Sequence, residues 1–310
     1  MKEKIKYAGA MLICFIAVLF IRMPVMADDG VPETAWRDNA ATDFAGGSGT
    51  EADPYQITDG AQLAKIAKDV ENGTVYKDAY FRLENDIDLS AHRWNPIGVY
   101  KWYEGGATED RMFAGFLDGN GKTITGLIVD ERTEKNRAGL FGQIAYTGAA
   151  TNVGVKDLNI VDARIYATNE GMEKNSSAIL AGFVMANSGH TIRFDDISVS
   201  GTIVNTKVGD NSMMSGGLFG EANRVTADYC RADVMIEGGD NTGGFVGLDG
   251  SSTYTNCKVT GKVTGLWAIG GFVGYAWEAE SATMSTYDNC IAKVDVVANE
   301  WRAGGFAGYM

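Results

Sequence analysis

A short glycine-rich phrase returns six times after residue 137 and constrains the fold of this chain more than any other feature. Each copy places two small residues before a large apolar one, and five of the six copies close on glycine. The copies occupy residues 138–142, 181–185, 216–220, 243–247, 270–274 and 304–308. Their second positions are 43, 35, 27, 27 and 34 residues apart, so the shortest spacing is the bare unit and the longer ones carry insertions.

A second phrase lies between the copies and begins a short strand each time. Its first residues are Leu158, Ile197, Cys230, Cys257 and Cys290. Across 257–264, apolar residues or glycine alternate with polar residues, which is the period of a strand with one buried side. Because leucine and isoleucine share the position of the cysteines, we interpret the cysteines as stacked apolar side chains, in preference to a redox or metal column.

The repeats predict an all-β fold, a right-handed parallel β-helix (β-solenoid) with a short N-terminal capping helix. A unit of short strands and glycine turns cannot bury its apolar side alone, so it stacks on copies of itself. Recurring glycine pairs and β-branched residues disfavour a helical solenoid. A spacing of 27 residues is too short for the four-stranded blade of a β-propeller, and we prefer the solenoid to a β-sandwich as well.

A mostly polar position stands directly before the strand phrase in every copy. Its residues are Asp157, Asp196, Tyr229, Asn256 and Asn289. Asn and Asp suit a turn, and stacked amides can hydrogen-bond along the axis of a solenoid. An acidic ladder that holds calcium or acts in catalysis is the alternative, and we favour the turn.

Residues 1–27 have the three zones of a secretory signal peptide: lysines, an apolar run at 8–21, and Ala27 at a cleavage position. The run is shorter than the ~20 residues that cross a bilayer as a helix, so we favour cleavage over an uncleaved anchor. Cleavage predicts a secreted or cell-surface protein with no membrane span in the mature chain. It removes four basic residues and one acidic residue, which changes the formal net charge from −13 to −16 and disfavours nucleic acid as a partner.

The rest of the chain divides into three parts. Residues 28–45 lack a pattern and predict a flexible leader, and 46–130 predict an N-terminal cap with the first rungs of the solenoid. Within the cap, Asp59 and Gln62 match a capping box, and the apolar residues after them follow helical spacing. Residues 131–310 hold the repeats and stop inside one, so we predict a longer protein or a truncated reading frame.

Four further phrases precede the repeats. They are Asp-Pro-Tyr-Gln-Ile at 53–57, Asp-Ile-Asp-Leu-Ser at 86–90, Trp-Asn-Pro-Ile-Gly at 94–98 and Phe-Leu-Asp-Gly-Asn-Gly-Lys-Thr-Ile-Thr-Gly-Leu at 116–127. Together with the Gly-Leu-Phe-Gly and Gly-Gly-Phe-Val-Gly repeats, they resemble the GLUG-repeat proteins of bacterial surfaces over residues 44–310. The resemblance implies a large secreted or wall-attached protein, either adhesin-like or akin to the immunoglobulin A1 metallopeptidases that carry the same repeats.

The sequence predicts a protein that is not an enzyme and that needs no cofactor or metal. A metallopeptidase requires a helical His-Glu-x-x-His, and neither His92 nor His190 begins one. We therefore predict a non-catalytic module, an adhesin-like binding surface or a rigid stalk. The alternatives are a polysaccharide lyase or hydrolase, for which Arg193, Asp195 and Asp196 are candidate residues, and the N-terminal fragment of a larger surface metallopeptidase.

Aromatic residues outside the repeat phrase are the candidate ligand-binding residues. Tyr100, Trp102 and Tyr103 lie in a polar interruption of the opening rungs and have no evident core position. Trp267 and Trp301 each stand four residues before the second glycine of their repeat, so they should lie one above the other. Exposed flat rings stack on sugars or anchor proteins, which makes a glycan or a host or cell-surface protein the expected partner. Ordinary packing of these rings over a corner is the other interpretation, and from the residues alone we favour packing over ligand binding.

Overall fold

The protein is built from short strands that follow one another around a coil. The computed structural model describes residues 30–102, 108–133, 136–145, 152–168, 174–187, 189–206, 212–277 and 284–310. The signal peptide predicted at 1–27 lies outside these residues. The helices are a short 3-10 helix (Trp36–Asn39) and α1 (Gly60–Glu71).

The strands account for the remaining regular structure. In the first half they are β1 (Tyr55–Ile57), β2 (Tyr80–Leu83), β3 (Ile87–Asp88), β4 (Val99–Trp102), β5 (Thr108–Arg111), β6 (Phe116–Asp118), β7 (Thr123–Thr125), β8 (Ile128–Asp130), β9 (Phe141–Ala145) and β10 (Gly154–Thr168). In the second half they are β11 (Lys174–Ala178), β12 (Ala181–Met185), β13 (Ile192–Thr206), β14 (Ser212–Gly216), β15 (Phe219–Asn223), β16 (Val225–Asp228), β17 (Arg231–Glu237), β18 (Asn241–Gly243), β19 (Val246–Gly250), β20 (Thr253–Thr255), β21 (Lys258–Gly265), β22 (Ala268–Gly270), β23 (Val273–Ala276), β24 (Thr286–Asp288), β25 (Ile291–Ala298), β26 (Arg302–Gly304) and β27 (Ala307–Tyr309).

Three parallel sheets run along the coil. The main sheet has 14 strands, on the path β1-β2-β6-β10-β13-β16-β20-β24 with β3, β7, β8, β17, β21 and β25 alongside. The second sheet is β11-β14-β18-β22-β26, and the third is β9-β12-β15-β19-β23-β27. One bare turn visits β17 in the main sheet, β18 in the second, β19 in the third and then β20 in the main sheet again. Among the described strands, only β4 and β5 pair antiparallel, so the predicted mostly-β, parallel, solenoid-like stacking is confirmed.

The predicted column of cysteines lies inside the coil. The amide of Lys258 donates to the carbonyl of Cys230 at 3.0 Å, and the amide of Ile291 donates to that of Cys257 at 2.9 Å. Cys230 and Cys257 are buried, Cys290 is half-buried, and all three are free thiols. The neighbouring phenylalanine column of the repeat phrase is equally regular, with stacked rings one turn apart. Equivalent apolar side chains therefore lie in successive layers, as the repeats predict.

The strand register corrects one repeat copy. Ala181 pairs with Phe141 on one side and with Phe219 on the other. The counterpart of residues 216–220 in this rung is therefore 178–182, Ala-Ile-Leu-Ala-Gly, and the copy predicted at 181–185 is wrong by three residues. The prediction aligned Ala-Gly-Phe-Val at 181–184 with the other copies because of a chance likeness. The strand register instead aligns Gly182 with the glycines that close the neighbouring copies.

The closing glycines form a column in which no side chain fits. Its members are Gly142, Gly182, Gly220, Gly247, Gly274 and Gly308. A Cβ on Gly247 would lie 2.6 Å from the carbonyl oxygen of Gly220 and 2.6 Å from the amide nitrogen of Ser215 in the second sheet. The same 2.6 Å approach to the preceding glycine recurs at Gly274 and Gly308, and real Cβ contacts essentially never fall below 3.0 Å. The second and third sheets thus pack backbone against backbone at this line.

The residues before each strand phrase take the turn conformation that the sequence predicts. Asp157, Asp196, Tyr229, Asn256 and Asn289 all have φ between 49° and 55°. The side-chain amide of Asn289 donates to Oδ1 of Asn256 at 2.6 Å, one turn away. The interpretation of this row as turn residues is confirmed.

The cap begins with the predicted helix. Asp59 is the N-cap of α1, and its side chain accepts a hydrogen bond from the amide of Gln62 at 2.9 Å. The side chain of Gln62 accepts in turn from the amide of Thr58 at 2.7 Å, one residue before the position that a capping box predicts. Leu63 and Val70 are buried in the apolar cluster that includes the first strands, so the helix packs against the first rung.

Residues 31–45 pack against the cap, although 28–45 were expected to be a flexible leader. Ala35 is buried, and the indole nitrogen of Trp36 donates to the carbonyl of Leu89 at 2.9 Å. Arg37 forms a 3.0 Å ion pair with Glu71 at the end of α1. Apolar rings hold this segment without any periodic pattern, which is why the sequence did not reveal it.

A carboxylate is buried in the third sheet. Asp249 is 0% exposed, and its register partners on the adjacent turns are Ala222 and Ala276. The hydroxyls of Tyr254 and Tyr287 donate to its two oxygens at 2.8 and 2.6 Å. Burial raises the pKa of the Asp249 carboxyl, and these hydrogen bonds offset part of that rise.

Replacing a closing glycine should destabilise the fold. We expect Gly247→Ala to lower the free energy of unfolding by about 3 kcal/mol, because its methyl group meets backbone that cannot move aside. Gly305→Ala is the matched control, since nothing lies within 4 Å of its Cβ position. Urea denaturation followed by circular dichroism measures both variants. Equal midpoints for the two variants would contradict the close packing of the sheets.

Asp249 should make stability depend on pH. A raised pKa means that the folded state keeps its proton where the unfolded state has lost it, above the ordinary carboxyl pKa of about 3.9. The stability of wild type relative to Asp249→Asn should therefore fall as pH rises from about 4, by at most about 1.4 kcal/mol per pH unit, and level off above the raised pKa. Denaturation curves between pH 4 and neutrality measure the difference. A difference that does not change with pH would show that the carboxylate titrates as it does in the unfolded chain.

Candidate functional site

The outward side of the main sheet carries two columns of side chains in register. One column runs Tyr80, Phe116, Gly154 and Arg193, and the other runs Arg82, Asp118, Lys156, Asp195 and Asp228. The residues between the columns, such as Leu117 and Val155, are buried. This alternation leaves the side chains of the two columns half-buried or exposed on the solvent side of β2, β6, β10 and β13, whereas Gly154, which has no side chain, is buried.

A cleft of about 440 Å³ opens between these columns. The side chains around it include Tyr80, Phe116, Asp118, Lys156, Arg193 and Asp195. Gly154 lies in the rung between Phe116 and Arg193, and a Cβ there would lie 2.2 Å from the carbonyl oxygen of Arg193. No side chain fits at that position, so a gap remains between the aromatic ring of Phe116 and the guanidinium of Arg193.

Lys156 forms one ion pair with the neighbouring rung of the charged column and one with the next residue of its own chain segment. Nζ of Lys156 lies 3.2 Å from Asp118 and 3.4 Å from Asp157. Partial burial opposes the charge on Lys156, but its hydrogen bond and attraction to Asp118 outweigh that effect and raise its pKa. The acid–base contacts therefore hold donors and acceptors in fixed places.

Asp195 differs from the other acids of the cleft. Burial raises the pKa of its carboxyl, the attraction of Arg193 at 3.8 Å opposes that rise, and repulsion by Asp228 and Asp196 adds to it. A carboxyl with a raised pKa in an open cleft can donate a proton as well as accept a hydrogen bond.

An aromatic pair forms the opposite wall of the cleft. The rings of Tyr80 and Phe116 lie with centroids 5.7 Å apart and planes inclined by 38°. The side-chain amide of Asn152 donates to the hydroxyl of Tyr80, which fixes the ring. The wall thus consists of two inclined rings, which form an apolar surface with polar groups at its edge.

The predicted tryptophan pair lies on adjacent rungs at the other end of the coil. Ala268 pairs with Arg302, so Trp267 and Trp301 are one turn apart, as predicted. The ring of Trp267 lies 6.2 Å from the ring of Tyr309 and beneath the guanidinium of Arg302 at 4.7 Å. Trp301 is 69% exposed. The prediction that these rings bind a ligand stays a prediction.

Of the predicted aromatic residues whose side chains the structure describes, Tyr100 and Trp267 lie at opposite ends of the third sheet. Tyr100 lies on β4, and its ring is 4.2 Å from the guanidinium of Arg137, near the β9 end of the third sheet. Trp267 lies near the β23 and β27 end of the same sheet. Trp102 ends β4, and Tyr103 lies outside the described residues.

Sequence reasoning named Arg193 and Asp195 but missed the aromatic wall and Lys156. Each strand repeats the outward pair at positions i and i+2, as in Phe116 and Asp118. That pattern becomes visible only when β2, β6, β10 and β13 are aligned by their register.

Comparisons place the chain beside a few known proteins. No protein-family model matches it, so the resemblance to GLUG-repeat proteins stays a prediction. A protein named "Halomucin" from Haloquadratum walsbyi is 29% identical over 191 residues, which are 60% of this chain and 2% of that protein. A "Putative Gly-rich membrane protein" from Evansella cellulosilytica is 31% identical over 150 residues, which are 46% of this chain and 15% of that protein. The chain thus spans a small part of the length of both relatives.

A solved structure covers more of the chain at lower similarity. It is the crystal structure of a putative immunoglobulin A1 protease from Bacteroides ovatus, which covers 83% of this chain and 87% of its own. The TM-score is 0.42 and the sequence identity is 16%. In the part of the chain that the structure describes, no helix combines the length and the apolar character needed to cross a bilayer.

Proposed function

We propose that this chain is a non-catalytic module of a secreted or cell-surface protein and that its coil presents a rigid outer face for binding. The observation that carries the proposal is the register of the outward columns, which holds side chains about 4.8 Å apart on a hydrogen-bonded backbone. A face of that kind suits an adhesin-like surface or a stalk. The relative named as a membrane protein supports a location at the cell surface.

Three finer points belong to the same proposal. Residues 1–27 direct secretion and are removed. The repeats are of the GLUG type. The coil is right-handed, which is the hand that parallel β crossovers adopt in nearly all proteins.

A carbohydrate-active enzyme is the second candidate, and Asp195 favours it. Its raised pKa in an open cleft is what a general acid requires, and Lys156 lies on the preceding rung. In the primary proposal the same groups only bind, because Lys156 and Arg193 are engaged in ion pairs with acids of the cleft.

Binding without turnover is the expected result for the full chain. We expect retention on a glycan or cell-surface array, and no release of reducing or unsaturated ends from polysaccharides. Reducing-end assays and ultraviolet absorbance measure the release. Asp233 is an exposed acid on β17 and serves as the control. Release of ends that disappears in Asp195→Asn but persists in Asp233→Asn would contradict the binding module and support the carbohydrate-active enzyme.

A further inference from the structure

We infer that the cleft binds a neutral, hydroxyl-rich saccharide, with one sugar ring against the Tyr80–Phe116 wall and its hydroxyls on Asp118, Lys156 and Asp195. This inference rests on the proposed binding function and names its ligand class. The cleft volume of about 440 Å³ falls within the range of ~300–1,000 Å³ that small ligands occupy.

The aromatic wall supplies the apolar part of such a site. Tyr80 and Phe116 are half-buried, so one side of the pair packs on the sheet and the other meets solvent. The C–H face of a sugar ring is apolar and weakly positive, and it is attracted to the negative face of an aromatic ring. Asn152 restrains Tyr80, which lowers the entropy lost on binding.

The charged column supplies the polar part. Asp118, Lys156 and Asp195 occupy consecutive rungs and alternate in sign. A carboxylate accepts from one hydroxyl while the adjacent ammonium donates to the next, and adjacent hydroxyls on a sugar present that pair of groups. The ion pairs keep the groups in position before the ligand arrives.

Charge decides between a neutral and an acidic saccharide. The acids of the cleft, Glu51, Asp118 and Asp195, outnumber its bases, Lys156 and Arg193. Asp228 and Asp196 add further negative charge close to Asp195. A uronate or sulfate would be repelled here, whereas hydroxyl groups would not.

Titration of the full chain with oligosaccharides tests the inference. The neutral probes are cello-, manno- and galacto-oligosaccharides, and the acidic probes are oligogalacturonate and heparin fragments. We expect at least one neutral probe to bind and Phe116→Ala and Lys156→Gln each to weaken it by roughly tenfold, the effect of losing one aromatic or charge-assisted contact. Affinity should be nearly independent of salt, because the ligand carries no charge.

Controls distinguish a loss of binding at the cleft from a loss of folding, and failure of this inference from failure of the proposed binding function. Met235→Ala, at an exposed position on β17 of the same sheet, should leave affinity unchanged, and circular dichroism should show that all variants are folded. Acidic probes binding in place of neutral ones would overturn the inference. Neutral binding that survives both cleft variants but is lost in Trp267→Ala would overturn it too, while leaving the binding module intact. Attachment to cell-surface proteins without any saccharide binding would also overturn the inference and leave the proposed binding module intact.

Discussion

The second and third sheets come so close that their backbones are in contact, and the rest of the coil depends on this constraint. At that line four successive turns, those of Gly220, Gly247, Gly274 and Gly308, place the glycine against the carbonyl of the closing glycine one turn earlier and against an amide of the second sheet. The chain can reverse direction within a few residues only because no side chain intervenes there. Once that corner is set, the large apolar residue before it points into the core, and the strands after it fall into register.

Much of the fold could be predicted from the sequence because this close packing requires glycine, and the required glycines are visible as a repeat. A glycine that sterics require returns at every turn, and the turn residues before each strand phrase keep φ near 50°. Two features escaped the same reasoning. The segment before residue 46 is held by single rings such as Trp36 that have no period. The rung at 178–182 lacks the second glycine of the phrase, and only strand pairing identifies it.

The cleft was harder to foresee for a related reason. Its residues are ordinary in sequence, and they become a site only when four strands are placed side by side. The rungs that carry it are longer than the bare repeat, with 36, 38 and 39 residues between register partners from Arg82 to Asp195. Insertions of variable length hide such a register from the sequence. Sterics again create the opening, since the backbone around Gly154 admits no side chain between the aromatic wall and Arg193.

Asp249 shows that a stacked core can hold a buried polar side chain in one turn without repeating it in the neighbouring turns. Alanine fills its place in the turns on either side, and two tyrosines close over it from adjacent rungs. The Asp249 carboxyl is present in one layer only, whereas the backbone of the bare 27-residue turn has the same conformation in successive layers. A gene that gains or loses such a turn alters the reach of the molecule by one layer and leaves the opening near Gly154 untouched. The number of turns and the shape of the cleft can therefore evolve separately.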